Sequence, residues 1–476
     1  MNNNRTIMWF RHDLRITDNP ALNEACRLGD IIPIYIQDNH NHQNKQIGSA
    51  SKWWLHQSLI SLNNDLNGGL ITFTGDPKKI IPKLVNESGA STVVWNRNYE
   101  PWQIIRDKTL KTKLEENGSK VTTFNGSLLW EPWKILNQSG TPYKVFTPFY
   151  RKGCLNSDSP RIPEAKPNKI KVITLNDGFD VESLELMPKI EWYKTMEKTW
   201  SPGEEGALKK LDRFLDGHVQ NYKVGRDFPG VKGTSRLSPH LHFGEISPNQ
   251  VWHAALSNQN IENVGRDLYH YLSELGWREF SYYLLYHFPH ITNKNFNEKF
   301  DKYPWSSGGS KFKAWKKGLT GVPIVDAGMR ELWQTGYIHN RVRMIVGSYL
   351  VKNLNIDWRD GESCFWDCLV DADLAANCAS WQWVAGSGAD AAPFFRIFNP
   401  VLQGEKFDSN GDYVKKYCPE LSKLPKKYLH KPWEAPLETL LDSGIELGKN
   451  YPNPIVDLRK SRTDALELYK HVKGAP

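Results

Sequence analysis

The feature that most limits the fold is an alternation in the first quarter of the chain. Five short apolar runs occur at Thr6–Phe10, Ile31–Ile36, Leu70–Phe73, Thr92–Trp95 and Val121–Phe124. Between them lie stretches with helical spacing: ALNEACRL from Pro20, then Ser51–Leu66, Ile80–Asn86 and Ile104–Asn117. Asn19-Pro20 supplies an N-cap and a first helical residue. Parallel strands need helical crossovers and are buried on both faces, so they read as unbroken apolar runs. The expectation is an α/β domain over residues 1–130, built on a doubly wound parallel sheet. No GxGxxG follows the first strand, so a dinucleotide is not expected on this sheet.

Periodicity fades over residues 131–200, where Pro, Gly, Asn and Ser recur (NQSGTPYK, NSDSPRIPEAKPNK); this reads as a long interdomain linker. From Ser201 the pattern is helical to about residue 400, giving an all-α C-terminal domain over 201–476. The part after Val401 is irregular and then charged, and ends in an amphipathic helix, Leu458–His471. A net charge of +8 and pI near 8.9 suit a nucleic-acid partner. No membrane span or signal peptide is visible, and six cysteines without a CxxC motif read as reduced thiols of a cytoplasmic protein. The pairs His40/His42 and His240/His242 lack Cys or carboxylate companions at ligand spacing, so no metal is expected.

Three stretches carry candidate chemistry. In His339–Trp383, charged and amide groups interrupt an apolar helical pattern. Asn340 lies one turn before Arg343 and Met344, and Asp373, Asn377 and Trp381 are four apart on one face. An arginine entering such a helix needs a partner, because an unpaired buried charge is costly. Asp371 sits where a counter-ion or an N-cap would sit. Spacing alone leaves two readings, a structural Arg–Asp pair or a polar pocket for a large planar cofactor. In KGTSRLSPHLHFGEISP, two Ser-Pro pairs (Ser238, Ser247) open helices. Thr234, Ser235 and Ser238, with Arg236, could cap a helix or hold a phosphate. In the aromatic helix of residues 266–289, Glu274 and Arg278 are four apart with Trp277 on nearly the same face. That is an ion pair, or a carboxylate beside a stacking surface for a base.

The motifs NRVRM, DWRDGE, DADLAAN, WQW, GADAAPFFRIFNP and QGEKF follow one another in an order that resembles the photolyase/cryptochrome family. Upstream, GWREF, TSRLSPHLHFGEIS and WFRHDLRITDNPAL extend the likeness over nearly the whole chain, most like a bacterial cyclobutane pyrimidine dimer photolyase. The resemblance implies a C-terminal FAD-binding domain. The pyrophosphate would lie on Thr234, Ser235, Arg236, Leu237 and Ser238, with Tyr222 nearby, and Arg278, Arg343, Asp371, Asp373 and Asn377 would surround the flavin. Arg343 would favour the anionic reduced flavin, and Asn377 would face N5 without adding negative charge. Glu274, Trp277, Asn340, Met344 and Trp383 would form the pocket for a flipped lesion in UV-damaged DNA. Arg226, Arg341 and Arg396 would line the cleft, with Arg151 or Lys152 adding to a basic patch. Trp381, Trp358 and Trp305 would carry an electron from the surface to oxidised flavin. A second, antenna chromophore would sit at the carboxyl edge of the sheet, bordered by Asn96–Trp102. Methenyltetrahydrofolate is favoured there over a deazaflavin.

The implied activity is light-driven repair by a monomeric enzyme. A (6-4) photolyase is disfavoured, since that class has histidines where this chain has Asn340 and Met344. A cryptochrome-type sensor is disfavoured by Asn377, which replaces the aspartate of plant-type sensors, and by the short region after Trp433. A dark flavin oxidoreductase would need a nicotinamide site, and none is apparent.

Overall fold

The computed structural model describes residues 5–39, 46–175, 179–258, 265–394 and 396–473; His40 and His42 lie outside them. Strands Arg5–Phe10 (β1), Asp30–Gln37 (β2), Ile71–Thr74 (β3), Thr92–Asn96 (β4) and Lys120–Phe124 (β5) form a sheet in the order β3-β2-β1-β4-β5. Every pairing is parallel, with Ile7 level with Ile32 on one side and Val93 on the other. Helices Pro20–Leu28 (α1), Ser49–Asp65 (α2), Pro77–Ser88 (α3) and Pro101–Glu116 (α4) make the crossovers. Ile81 and Leu84 of α3, and Leu110 and Leu114 of α4, join Ile7, Trp9, Ile32, Ile34, Val93 and Trp95 in one core. Each such aliphatic side chain contributes about 1.5–3 kcal/mol by leaving water.

The expected caps hold. The Asn19 side chain accepts from Leu22 N with Pro20 at the first helical position. Asp76-Pro77 repeats that device and starts α3 three residues before its apolar periodicity begins. Ser247 caps Pro248–Ser257 with a full capping box through Gln250. Ser238 does not cap. Its helix, Ser238–Phe243, is preceded by Leu237, and its hydroxyl is turned to Asp371 at 2.6 Å.

The chain forms two compact units. The first comprises Met1–Gly217, Ser235–Pro289 and Val370–Asp373; the second comprises His218–Thr234, His290–Leu369 and Leu374–Pro476. In the first, the long segment after residue 130 holds only short helical turns, yet it is pinned. Ile31 exchanges backbone bonds with Lys171 and Ile173, and Thr72 with Phe179. In the second, Asn340–Ser348 is capped by His339, Trp358–Cys368 by Asp357, and Leu374–Ala385 follows. Asp371 falls three residues short of that last helix, within the first unit, so the N-cap reading of Asp371 is corrected. The chain's terminal helix is Leu458–Lys473.

Candidate functional site

In the first unit, helices Ser238–Phe243 and Gly265–His287 bring the expected polar residues to the short segment Val370–Asp373. Ser238 donates to Asp371 Oδ2. Asp373 Oδ2 accepts from the Tyr282 hydroxyl and lies 3.3 Å from His242 Nδ1. Beside them, His12 stacks edge-on against His242 at 5.1 Å, and burial holds it neutral, down to about 3. Glu100, on the loop after β4, is pushed up to about 7 by burial, with the Asp373 charge adding to the rise and the Trp102 indole opposing it. Burial disfavours the charged form of each group.

The loop before Ser238 has a local geometry suited to an anion. Arg236 adopts a left-handed φ of +52°, and Leu237 returns to φ −87°, ψ −4°. Alternating handedness turns successive N–H groups to one side and makes a concavity for a phosphate. The Ser235 side chain bonds Tyr271, and Arg236 lies over the Trp200 ring at 4.5 Å. Thr234 closes the neighbouring segment, where a Cβ on Gly233 would come within 2.5 Å of the Gly225 carbonyl. That close approach needs glycine, and it sets Gly233, the neighbour of Thr234, against the turn Tyr222–Gly225 that carries buried Tyr222.

On Gly265–His287, Glu274 and Trp277 are both half-buried. The Trp277 ring stacks on Phe146 at 3.8 Å and 11°, so one of its faces is covered. Arg278 pairs with Glu279 at 3.0 Å and lies over Tyr282 at 5.0 Å, so the expected i,i+4 partner, Glu274, is not the carboxylate it takes here. Glu279 also accepts the Leu129 and Trp130 amides. Burial pushes it up to about 7 against the pull of Arg278.

In the second unit, Asn377 donates through Nδ2 to the Glu362 carbonyl (3.1 Å) and to Glu362 Oε1 (2.8 Å). Both partners are acceptors, so the amide orientation is fixed with Oδ1 turned away from Glu362. Trp381, one turn later, packs against Phe365 at 4.9 Å and Trp315 at 6.3 Å. It lies directly over Gly361, where a Cβ would meet its Cη2 at 2.2 Å. Trp358 opens that same helix, fully buried, with its indole N–H on Asn295 at 3.0 Å. Two residues before Trp358, Ile356 forms a backbone bridge with Ser306, the neighbour of half-buried Trp305. Trp358 and Trp381 are buried, and Trp305 is half-buried.

Arg343 Nε donates to the Ile338 carbonyl at 2.7 Å, and its guanidinium lies over Tyr337. Arg341 bonds Asp227 at 2.6 Å, covers Phe407 at 4.4 Å and touches the Met344 sulfur at 3.9 Å. Arg226 lies over Tyr222. Arg226, Arg341, Met344 and Asn340 are thus gathered, but the Arg341 charge is already answered by a carboxylate. Trp383 is half-buried; Asn340 and Arg396 are exposed.

In the first unit, the loop at Ser235–Ser238 has a shape suited to a pyrophosphate; in the second, the oriented Asn377 amide and Arg343 on the helix packed beside it are groups that suit a reduced flavin. At the carboxyl end of the sheet, charged groups pair with one another over the Trp9 ring. Arg11, just after β1, bonds Asp107 and the carbonyl of Asn96 at the end of β4. Arg106 bonds Asp107 and Asp38. Both guanidinium groups lie over Trp9, at 4.6 and 4.9 Å, and Trp9 is 1% exposed. Among the described residues no group of three or more His, Cys, Asp or Glu could hold a metal, and no helix is long and apolar enough to cross a membrane.

Sequence reasoning missed Glu362, Tyr282, His242 as a carboxylate partner, and Phe146. Glu362 was visible only as part of DWRDGE, and nothing in spacing ties it to a residue fifteen positions on.

Comparison with known proteins identifies the family. Residues 6–168 match the family profile described as DNA photolyase, and residues 271–471 that described as the FAD binding domain of DNA photolyase. A deoxyribodipyrimidine photo-lyase of Agrobacterium fabrum is 51% identical over 98% of each chain. Cryptochrome-2 of Arabidopsis thaliana is 39% identical over 96% of this chain and 77% of its own. The crystal structure of a class III photolyase from Agrobacterium tumefaciens superposes with a TM-score of 0.96 at 50% identity, covering 99% of this chain and 98% of that one. With its parallel-sheet N-terminal domain and helical FAD-binding C-terminal domain, the chain belongs to the DNA photolyase and cryptochrome family.

Proposed function

We propose that this protein is a deoxyribodipyrimidine photolyase, a carbon–carbon lyase that repairs cyclobutane pyrimidine dimers in DNA under near-UV or blue light. Reduced FAD, when bound, supplies an electron on excitation that splits the two bonds joining the pyrimidines and then returns. The observation that carries the reading is the Asn377 amide, held by two acceptors of Glu362 so that a neutral oxygen is presented. A carboxylate there would repel an anionic flavin; the amide does not.

The other roles follow from the chain's own groups. Ser235, Arg236, Leu237 and Ser238 hold the pyrophosphate, with Thr234 and Tyr222 at its flank. Arg343, Asp371, Asp373 and Arg278 orient the ring and ribityl chain. Glu274 hydrogen-bonds the lesion. Trp277, with one face on Phe146, is a stacking surface for the lesion, and Trp383, Asn340 and Met344 are the remaining lesion-binding residues. Arg226, Arg341 and Arg396 take backbone phosphates. Trp305, Trp358 and Trp381 relay an electron inward to regenerate the reduced cofactor. Functionally, residues 1–130 form the antenna-associated domain, 131–200 the linker and 201–476 the FAD- and DNA-binding domain. The second chromophore is methenyltetrahydrofolate in preference to a deazaflavin, at the carboxyl edge of the sheet bordered by Asn96–Trp102. Six free cysteines fit a cytoplasmic setting, and the enzyme acts as a monomer.

The test is repair itself. Reduced protein is mixed with a thymine-dimer oligonucleotide, and restored thymines are scored in light and in darkness. Light-dependent loss of dimer is expected; no loss despite bound reduced flavin would favour a cryptochrome-type sensor. Glu274→Ala should cut repair far more than FAD retention, and equal loss of both would refute its substrate role. Pigment released by denaturation should absorb as a folate.

A further inference from the structure

The segment Val370–Asp373 packs with the first unit although both its flanks belong to the second. It carries Asp371 and Asp373, and its two acidic side chains meet a matched ladder. Ser238 and His242 are four apart on one helix, about 6 Å along its axis. Asp371 and Asp373 are two apart in non-helical chain, which spans at most about 7 Å. The two spacings coincide, so Ser238 meets Asp371 at 2.6 Å while His242 meets Asp373 at 3.3 Å. Tyr282, from the long helix Gly265–His287, adds its hydroxyl to the same Asp373 oxygen that faces His242. With both donors on Oδ2, the direction of Oδ1 is set. His242 and Tyr282 are each 9% exposed, and the His12 ring backs His242 at 5.1 Å, so neither side chain has room to turn away. A slip of the segment by one residue would bring Ala372 to one of the two donors.

We propose that His242 and Tyr282 are positioning residues of the flavin site: with Ser238 they lock Asp371–Asp373 in one register, and Asp373 meets the cofactor only in that register. The inference rests on the FAD-dependent reading above. A hydrogen bond to a charged group contributes about 1.5–3 kcal/mol, which corresponds to roughly 10- to 100-fold in an equilibrium.

The test uses full-length holoprotein and three variants: Tyr282→Phe, His242→Leu, and His242→Asn, whose amide N–H takes the place of Nδ1–H. The readouts are the FAD dissociation constant, the absorption and fluorescence spectrum of bound flavin, and thermal unfolding with and without FAD. Tyr282→Phe and His242→Leu should each weaken FAD binding by roughly 10- to 100-fold and shift the flavin spectrum. His242→Asn should restore both. Unchanged affinity and spectrum in Tyr282→Phe and His242→Leu overturn the proposal. So does equal loss in His242→Leu and His242→Asn with lowered stability of the FAD-free protein, which would mark a packing role. If Tyr282→Phe does not fold, the two His242 variants decide alone. A wild-type protein that binds no FAD overturns the functional reading itself.

Discussion

Gly361→Ala sets two physical effects against each other, and the structure decides the sign. Gly361 lies inside the helix Trp358–Cys368, where alanine is worth about 1 kcal/mol over glycine on helix propensity alone. The new Cβ, however, would stand 2.2 and 2.5 Å from Trp381 Cη2 and Cζ3 and 2.6 Å from Leu350 Cδ2. Ordinary carbon contacts are at about 3.5–4.0 Å. The Trp381 ring, 4% exposed, can shift only by giving up its packing against Phe365 and Trp315. Overpacking of this kind costs about 1–3 kcal/mol, and three simultaneous clashes with tightly held groups place it at the upper end. The expected net effect is a loss of about 2 kcal/mol, read from urea or guanidinium unfolding at unchanged denaturant slope. A second readout is light-driven reduction of oxidised flavin, which should slow because the Trp381 ring must leave the Trp358 helix. A gain near 1 kcal/mol, as propensity alone dictates, would refute the packing argument.

Three further outcomes are expected. Glu279 is raised by burial from 4.5 to about 7. Its contribution to stability is therefore fully present below pH 4.5 and is lost as pH rises through 7, on the order of 3 kcal/mol in all. Glu279→Gln should flatten that part of the stability–pH curve, and parallel curves for the two proteins would exclude it. Asp227→Asn should release Arg341 to a phosphate, tightening DNA binding and steepening the slope of log affinity against log salt by about 1; an unchanged slope would keep Arg341 out of the phosphate contacts. Trp358→Phe should slow photoreduction of oxidised flavin while chemically reduced enzyme still repairs, measured by absorbance under continuous light with and without dithionite. Photoreduction at the wild-type rate would remove Trp358 from the relay.

Much of the α/β half is legible in the chain because its signals are local. Asn19-Pro20 needs only its own helix, and parallel strands announce themselves by burying both faces. The boundaries that moved did so for equally local reasons: Asp76-Pro77 and Pro101 start α3 and α4 before the apolar periodicity sets in. The site was legible as residue types and much less as partnerships. Ser238-Pro239 has the form of a cap, yet the hydroxyl serves Asp371 because a carboxylate from residue 371 is brought to it. Glu274 and Arg278 have ideal helical spacing, but Arg278 turns to Glu279, which the Leu129 and Trp130 amides hold from the other side. Glu362 and Phe146 gain their roles only through contacts fifteen and more than a hundred positions away, and one-dimensional spacing carries no trace of those.

The first compact unit is threaded through the chain in three pieces, and this bears on how it can be assembled. Trp54 and Ser58 of α2 donate to buried Glu245, and the amides of Leu129 and Trp130 donate to buried Glu279. A nascent polypeptide that has emerged only as far as Gly217 has neither acceptor. The parallel sheet can form on the ribosome, but its unit stays open until helix Gly265–His287 has been made, and it closes only when Asp373 arrives more than eighty residues later.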